Sequence, residues 1–151
     1  MVKRHYCLIE TGLAPESLVP RHGTYPSMGN DLMLQCLDHF DSTAVSPFSG
    51  DSLPDPEAFD GYMIMGSEFS VNDDSPWIES LLRFIQEVVH RSVPLVGICF
   101  GHQAIAKALG GTVESGNWVV GATPYARKDA SEPLISIAYH EDQVVIAPPE
   151  T

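Results

Sequence analysis

The sequence predicts an α/β fold, a doubly wound, mostly parallel sheet with helices on both faces. Compact apolar runs such as "GYMIMG" and "VPLVGIC" read as buried strands, and stretches with helical spacing of apolar residues lie between them. Strands that alternate with helices argue for a parallel sheet covered on both sides. Ligands of such sheets gather at the carboxyl ends of the strands, where "MGS" and "GICFG" both lie.

Taken in order, "HYCLIE" (5–10) reads as the first strand, and the turn-rich "TGLAPESLVPRHGTYPSMGN" after it as a loop and candidate lid. In "DLMLQCLDHF" (31–40), Leu32, Leu34, Leu37 and Phe40 fall at roughly helical spacing, with Asn30 or Asp31 as the cap. "STAVSPF" is a weak second strand broken by Pro47, and "SGDSLPDPEAFD" a polar connection to "GYMIMG" (61–66), the expected central strand. The best-defined helix follows, with Ser75 as cap, Pro76 in its first turn, and Trp77, Leu81, Phe84 and Val88 beside Ile78, Leu82, Ile85 and Val89. "VPLVGIC" repeats the strand pattern and "HQAIAKALGG" the helix pattern, stopped by Gly110 and Gly111. "TVESGNWVVGATPY" and "PLISIAYHEDQVVIAPP" read as later strands and loops.

Composition narrows the partners. At 151 residues and 44 % hydrophobic, the chain suffices for one ordinary core, so a single domain over 1–151 is expected. A formal charge of -12 argues against nucleic acid and anionic membranes as partners. No segment approaches membrane-spanning length and none resembles a cleaved leader, so a cytoplasmic location is expected. The scattered Cys7, Cys36 and Cys99 form no disulfide framework, and without a Cys-x-x-Cys pair or ligand cluster neither a metal nor a cofactor is expected.

The chemistry centres on Gly97-Ile98-Cys99-Phe100-Gly101. A strand turning sharply into a helix strains the turn residue and needs small neighbours two positions to either side, which Gly97 and Gly101 provide. Such an elbow exposes Cys99 above the sheet at a helix N-terminus, where partial positive charge favours thiolate. The N–H of Phe100 would face a developing oxyanion. The competing reading is a small buried core cysteine in a glycine-rich turn.

Beyond the elbow, "GICFGHQ" resembles the nucleophile motif of the class I glutamine amidotransferases. "FDGYMIMGSEFSVNDDSPWIESLLRFIQEV" (59–88) is similar to the family's oxyanion strand and following helix, and "AYHEDQVVIAPP" to its "S-H-x-D-x-V" segment. The resemblance covers most of the chain from Phe59 onward and implies a flavodoxin-like amidotransferase architecture. It implies that Cys99 attacks the side-chain amide of glutamine, giving a γ-glutamyl thioester and ammonia, with Gly66 and Phe100 as backbone oxyanion donors. It further implies that Ser67, Gln103, Tyr139 and His140 line the substrate, and that a synthetase or other acceptor subunit receives the ammonia. Beside the nucleophile, His102 reads as structural, its ring directed away from the sulfur.

In one place the chain departs from the family pattern. The family takes its general base from an "H-P-E"-like motif near the C-terminus, and nothing here matches it, so the domain is expected to lack the family's final strand and helix. A fragment of a longer enzyme, a short paralogue using His140, His102 or a second chain as base, and an inactive glutamine-binding or interaction module all stay open. So does a γ-glutamyl peptidase or hydrolase, which uses the same thioester chemistry. A redox-sensing or chaperone-like cysteine protein leaves the "GHQ" continuation without a purpose.

Overall fold

The computed structural model describes residues 3–127 and 130–149. Four strands, β1 (Arg4–Ile9), β2 (Phe40–Val45), β3 (Gly61–Ile64) and β4 (Leu95–Gly97), form a parallel sheet in the order β2-β1-β3-β4. Its register sets Leu8 beside Ala44 and Met63, and Ile64 beside Gly97. Both faces are covered, as expected for apolar parallel strands. On one, Cys7, Ile9, Tyr62 and Ile64 pack with α3 (Pro76–His90) and α4 (Phe100–Ala108). On the other, Leu8, Met63 and Met65 pack with Met33 and Tyr25 of α2 (Tyr25–Leu34).

The wide apolar face read in α3 is realised, since Ile78, Leu81, Phe84, Ile85 and Val88 are all buried. Ser75 does precede the helix, but it accepts from Ile78 and Glu79 through its carbonyl, not its hydroxyl. The helix expected over 31–40 lies six residues earlier. Thr24 caps α2 through its side chain, which accepts from the Ser27 N–H, and a proline occupies the first turn. Leu37 therefore lies past the helix, and Phe40 opens β2, where its ring meets Tyr6 at 5.9 Å. The stretch expected as a loop after β1 thus carries a short α1 (Val19–His22) and most of α2.

A second difference concerns the last two strands. β5 (Thr112–Tyr125) and β6 (Leu134–Ile146) pair antiparallel with each other in a separate two-stranded sheet. The doubly wound part is therefore confined to residues before Gly110. Proximal residues of this hairpin belong to the core, with Val113 buried and Val144 packed against the same cluster. Farther out, Val120, Ile137 and Tyr139 are exposed. No described helix is long and apolar enough to cross a membrane.

Candidate active site

β4 ends at Gly97 and α4 begins at Phe100, so Ile98 and Cys99 make the whole turn between strand and helix. Backbone bonds hold it tightly. The Ile98 N–H donates to the Ile64 carbonyl at 2.9 Å, and the Gly101 N–H donates to the carbonyls of Ile98 (2.9 Å) and Met65 (3.2 Å). Cys99 takes φ 53°, ψ −109°, a region L-residues rarely occupy and which costs about 1–3 kcal/mol. A Cβ on Gly97 would lie 2.4 Å from the Gly101 carbonyl carbon, and one on Gly101 would lie 2.3 Å from the Ile64 oxygen. Both glycines are required by close backbone approach, as an elbow demands.

Cys99 is exposed, Cys7 is buried, and neither forms a disulfide. The reading of Cys99 as a core residue is thereby set aside, whereas Cys7 fits it, its thiol pushed up to about 12 by burial. The thiolate expected at the helix terminus requires a correction. Partial desolvation raises the Cys99 pKa above its ordinary value, and the Phe100 N–H offsets this without reversing it. Below its pKa a thiol gains about tenfold in thiolate per pH unit, so alkylation of Cys99 by iodoacetamide should keep accelerating past pH ~8.5, where a model-peptide thiol is half ionised. A plateau below that pH would show that the helix terminus prevails over desolvation.

Gly66 follows β3 directly opposite the elbow, and a Cβ placed on it would lie 3.7 Å from the Cβ of Cys99. Phe100 is buried, its ring 5.7 Å from Trp77, and its N–H stands in the first turn of α4, where no intrahelical acceptor exists. Thr11, which the sequence reading did not single out, is fully buried between these parts. Its hydroxyl lies 3.0 Å from the carbonyls of both Met65 and Gly66. The Ser67 hydroxyl donates to the Thr11 carbonyl at 2.6 Å and accepts from the Phe69 N–H, so it fastens the loop that follows Gly66. Glu68 accepts from the Leu13 N–H, which closes this clamp. The start of the candidate lid is thus anchored to the loop that follows β3.

Gln103 is buried one turn into α4 and donates through Nε2 to the Asp142 carbonyl at 2.8 Å. His140, half-buried on β6, donates through Nδ1 to the same carbonyl at 3.0 Å, while its Nε2 accepts from the Tyr125 hydroxyl at 3.2 Å. Tyr139 points off the hairpin, 71 % exposed, with its ring against Trp118. His102 is exposed. The elbow helix is therefore joined to the hairpin by Gln103 at the Asp142 carbonyl, which His140 of the same strand also holds, and Tyr139 stands apart from that junction.

Asp142 is the hub of this junction. Its carboxylate is buried and accepts from Ser70, in the loop after Gly66, and from Ser115 of β5 at 2.5 Å. Lys107 and Asn72 tie the same loop to α4 and β5, through Lys107 Nζ to the Val71 carbonyl and Asn72 Nδ2 to the Val113 carbonyl. Because a hydrogen bond to a charged group contributes about 1.5–3 kcal/mol, Asp142→Ala should destabilise the protein by about 3 kcal/mol in denaturant unfolding. A loss under about 0.5 kcal/mol, the range of surface substitutions, would mean that the carboxylate holds nothing.

Tyr25 is a further residue that periodicity did not reveal. Burial raises its phenol pKa first, then the charges of Glu68 and Cys99, and its half-buried ring packs against the Leu8, Met33, Met63 and Met65 cluster. Elsewhere, an apolar cavity of about 120 Å³ lined by Tyr6, Met33, Tyr62, Met63 and Val96 opens where β3 and β4 begin, the end remote from Cys99. Among the described residues, no three His, Cys, Asp or Glu side chains converge as a metal-binding group.

A parallel α/β sheet with a strained cysteine elbow at its carboxyl edge defines a class of thiol-bearing site, and comparison with known proteins specifies the family. The profile described as glutamine amidotransferase class-I matches residues 32–149, and the chain belongs to that family. A glutamine amidotransferase-like protein of Schizosaccharomyces pombe is 34 % identical over 96 residues, which are 57 % of this chain and 39 % of that protein. γ-Glutamyl peptidase 4 of Arabidopsis thaliana is 41 % identical over 59 residues, 39 % of this chain and 24 % of that protein. Among solved structures, a glutamine amidotransferase from Methylobacillus flagellatus superposes with a TM-score of 0.74 at 25 % identity, covering 98 % of this chain and 59 % of that one. The matched part of the chain thus spans less than two thirds of the length of each of these relatives.

Proposed function

We propose that the chain carries the nucleophile half of a glutamine-hydrolysing site. The observation that carries this reading is the exposed Cys99 at positive φ between two glycines whose side-chain positions are filled by neighbouring backbone. Sγ of Cys99, as thiolate, would add to the side-chain amide carbon of glutamine. The C–N bond would then break, the nitrogen leaving as ammonia after gaining a proton, and water would release glutamate from the thioester. The N–H groups of Gly66 and Phe100 would receive the oxyanion.

The buried Gln103 and the half-buried His140 would shape the floor beneath the substrate through their shared hold on Asp142. Ser67 would act by fixing the oxyanion loop, and exposed Tyr139 by contact at the substrate's amino acid end. Of the alternatives for the base, His140, held at Nδ1 by the Asp142 carbonyl with Nε2 on the Tyr125 hydroxyl, would be the proton shuttle within this chain. The ammonia's acceptor, a synthetase or other acceptor subunit, would lie on another chain.

A second reading is favoured by the likeness to a γ-glutamyl peptidase, in which the leaving group would be an amino acid or peptide amine in place of ammonia. Glutamate release measured side by side from glutamine and from a γ-glutamyl dipeptide separates the two. Faster release from glutamine supports the first reading, and faster release from the dipeptide transfers the site to the second. Glutamine binding without release from either substrate would leave an inactive glutamine-binding module.

A further inference from the structure

Gly66 poses a physical problem for any site that uses its N–H. Glycine has the greatest backbone freedom of any residue, whereas an oxyanion donor works by being held in place before the charge develops. Backbone freedom at Gly66 resides in the two peptide planes that meet at its Cα. The hydroxyl of Thr11 lies 3.0 Å from the Met65 carbonyl, in the plane before Gly66, and 3.0 Å from the Gly66 carbonyl, in the plane after it. The Gly101 N–H, from the first turn of the elbow helix, also donates to the Met65 carbonyl at 3.2 Å.

A trans peptide is planar, with its N–H directed opposite its C=O, so fixing the Met65 oxygen fixes the Gly66 N–H on the other edge of the same plane. Thr11 is fully buried, and its own carbonyl is held by the Ser67 hydroxyl, so its side chain has a fixed mounting.

We infer that Thr11 is a positioning residue for the oxyanion donor, setting the direction of the Gly66 N–H toward the tetrahedral adduct formed on Cys99. This inference rests on the glutamine-hydrolysing reading. It assigns to the segment after β1 a part in the chemistry of residues more than fifty positions away. Thr11 touches neither substrate nor sulfur in this role. It acts through Gly66, so its removal should affect reactions that build negative charge on oxygen and spare those that do not.

The experiment compares two reactions of the same thiol in the wild-type chain, Thr11→Val and Thr11→Ser. Glutamate γ-semialdehyde forms a hemithioacetal: Sγ bonds to the aldehyde carbon, the carbonyl electron pair moves to oxygen, and that oxygen then takes up a proton, with no leaving group. Iodoacetamide alkylates Sγ with loss of iodide and needs no oxyanion donor. Deleting a direct oxyanion donor costs about 100- to 1,000-fold, so loss of its positioning group should weaken the semialdehyde adduct of Thr11→Val by roughly tenfold or more. The iodoacetamide rate at Cys99 should stay within about twofold, and Thr11→Ser, which keeps the hydroxyl, should restore the adduct.

A wild-type-like adduct in Thr11→Val overturns the inference. So does a parallel fall in both reactions, which would show that the elbow itself had been disturbed. A wild-type chain that alkylates normally yet forms no semialdehyde adduct overturns the functional reading, and this inference with it.

Discussion

Gly101→Val is expected to abolish the folded state, with destabilisation beyond about 4 kcal/mol. The first side-chain atom alone would lie 2.3 Å from the Ile64 oxygen, 2.8 Å from its carbonyl carbon and 2.9 Å from its Cβ. Two of these are backbone atoms of the central strand β3 and cannot yield as the end of a flexible side chain can. A branched residue adds two further methyl groups in the same space. Relief would require α4 to move away from β3, breaking the Gly101 bond to Met65 and withdrawing Phe100 and Ala104 from the core. Circular dichroism and thermal unfolding check this, and a cooperative transition near that of the wild type would contradict the elbow. Gly121→Ala is a useful contrast, because its added Cβ meets nothing within 4 Å and only its φ of 103° is unfavourable. A much smaller loss is expected there.

Cys99→Ala is expected to eliminate covalent labelling by an electrophilic glutamine analogue while leaving the fold in place. Alanine at φ 53° bears about the same backbone strain as cysteine, and the thiol is exposed, so little packing is lost. Peptide mapping distinguishes the outcome from reaction at the other two thiols. Cys7 is buried with its pKa pushed up to about 12, and Cys36, though exposed, lies past the end of α2, away from the strained turn. Labelling that survives the substitution would remove Cys99 from the proposed role.

The parallel sheet, α3 and the elbow were legible in the sequence because each is a local device. Apolar runs such as "GYMIMG" mark strands buried on both faces, and a wide apolar stripe marks a helix lying on a sheet. Two glycines flanking a cysteine mark close backbone approach, which the distances at Gly97 and Gly101 reproduce. The position of α2 was misread because leucine spacing continues past its end, while the determinant of its start was the side chain of Thr24 with a proline in the first turn. The pairing of β5 with β6 apart from the parallel sheet depends on long-range register, which neither strand's own pattern reveals.

The proposed site was legible to the extent that it is contiguous. Cys99 and Phe100 stand out in the elbow pentapeptide, whereas Gln103 and Gly66 entered only through the family resemblance. Thr11 was not visible, because it reaches Gly66 from the segment after β1 and carries no periodic or motif signal. The aspartate of "YHEDQV" could be noted beside His140. Its burial under Ser70 and Ser115 emerges only when the hairpin meets the loop after Gly66.

The most direct measurement is the intact mass of the wild-type chain, acid-quenched during incubation with glutamine and followed by mapping of the peptide that contains Cys99. The proposed chemistry predicts a transient gain of one glutamyl acyl group on that peptide, absent from Cys99→Ala and discharged by added hydroxylamine. An unmodified peptide at every quench time, with glutamine and with a γ-glutamyl dipeptide alike, would contradict the assignment of Cys99 as the nucleophile.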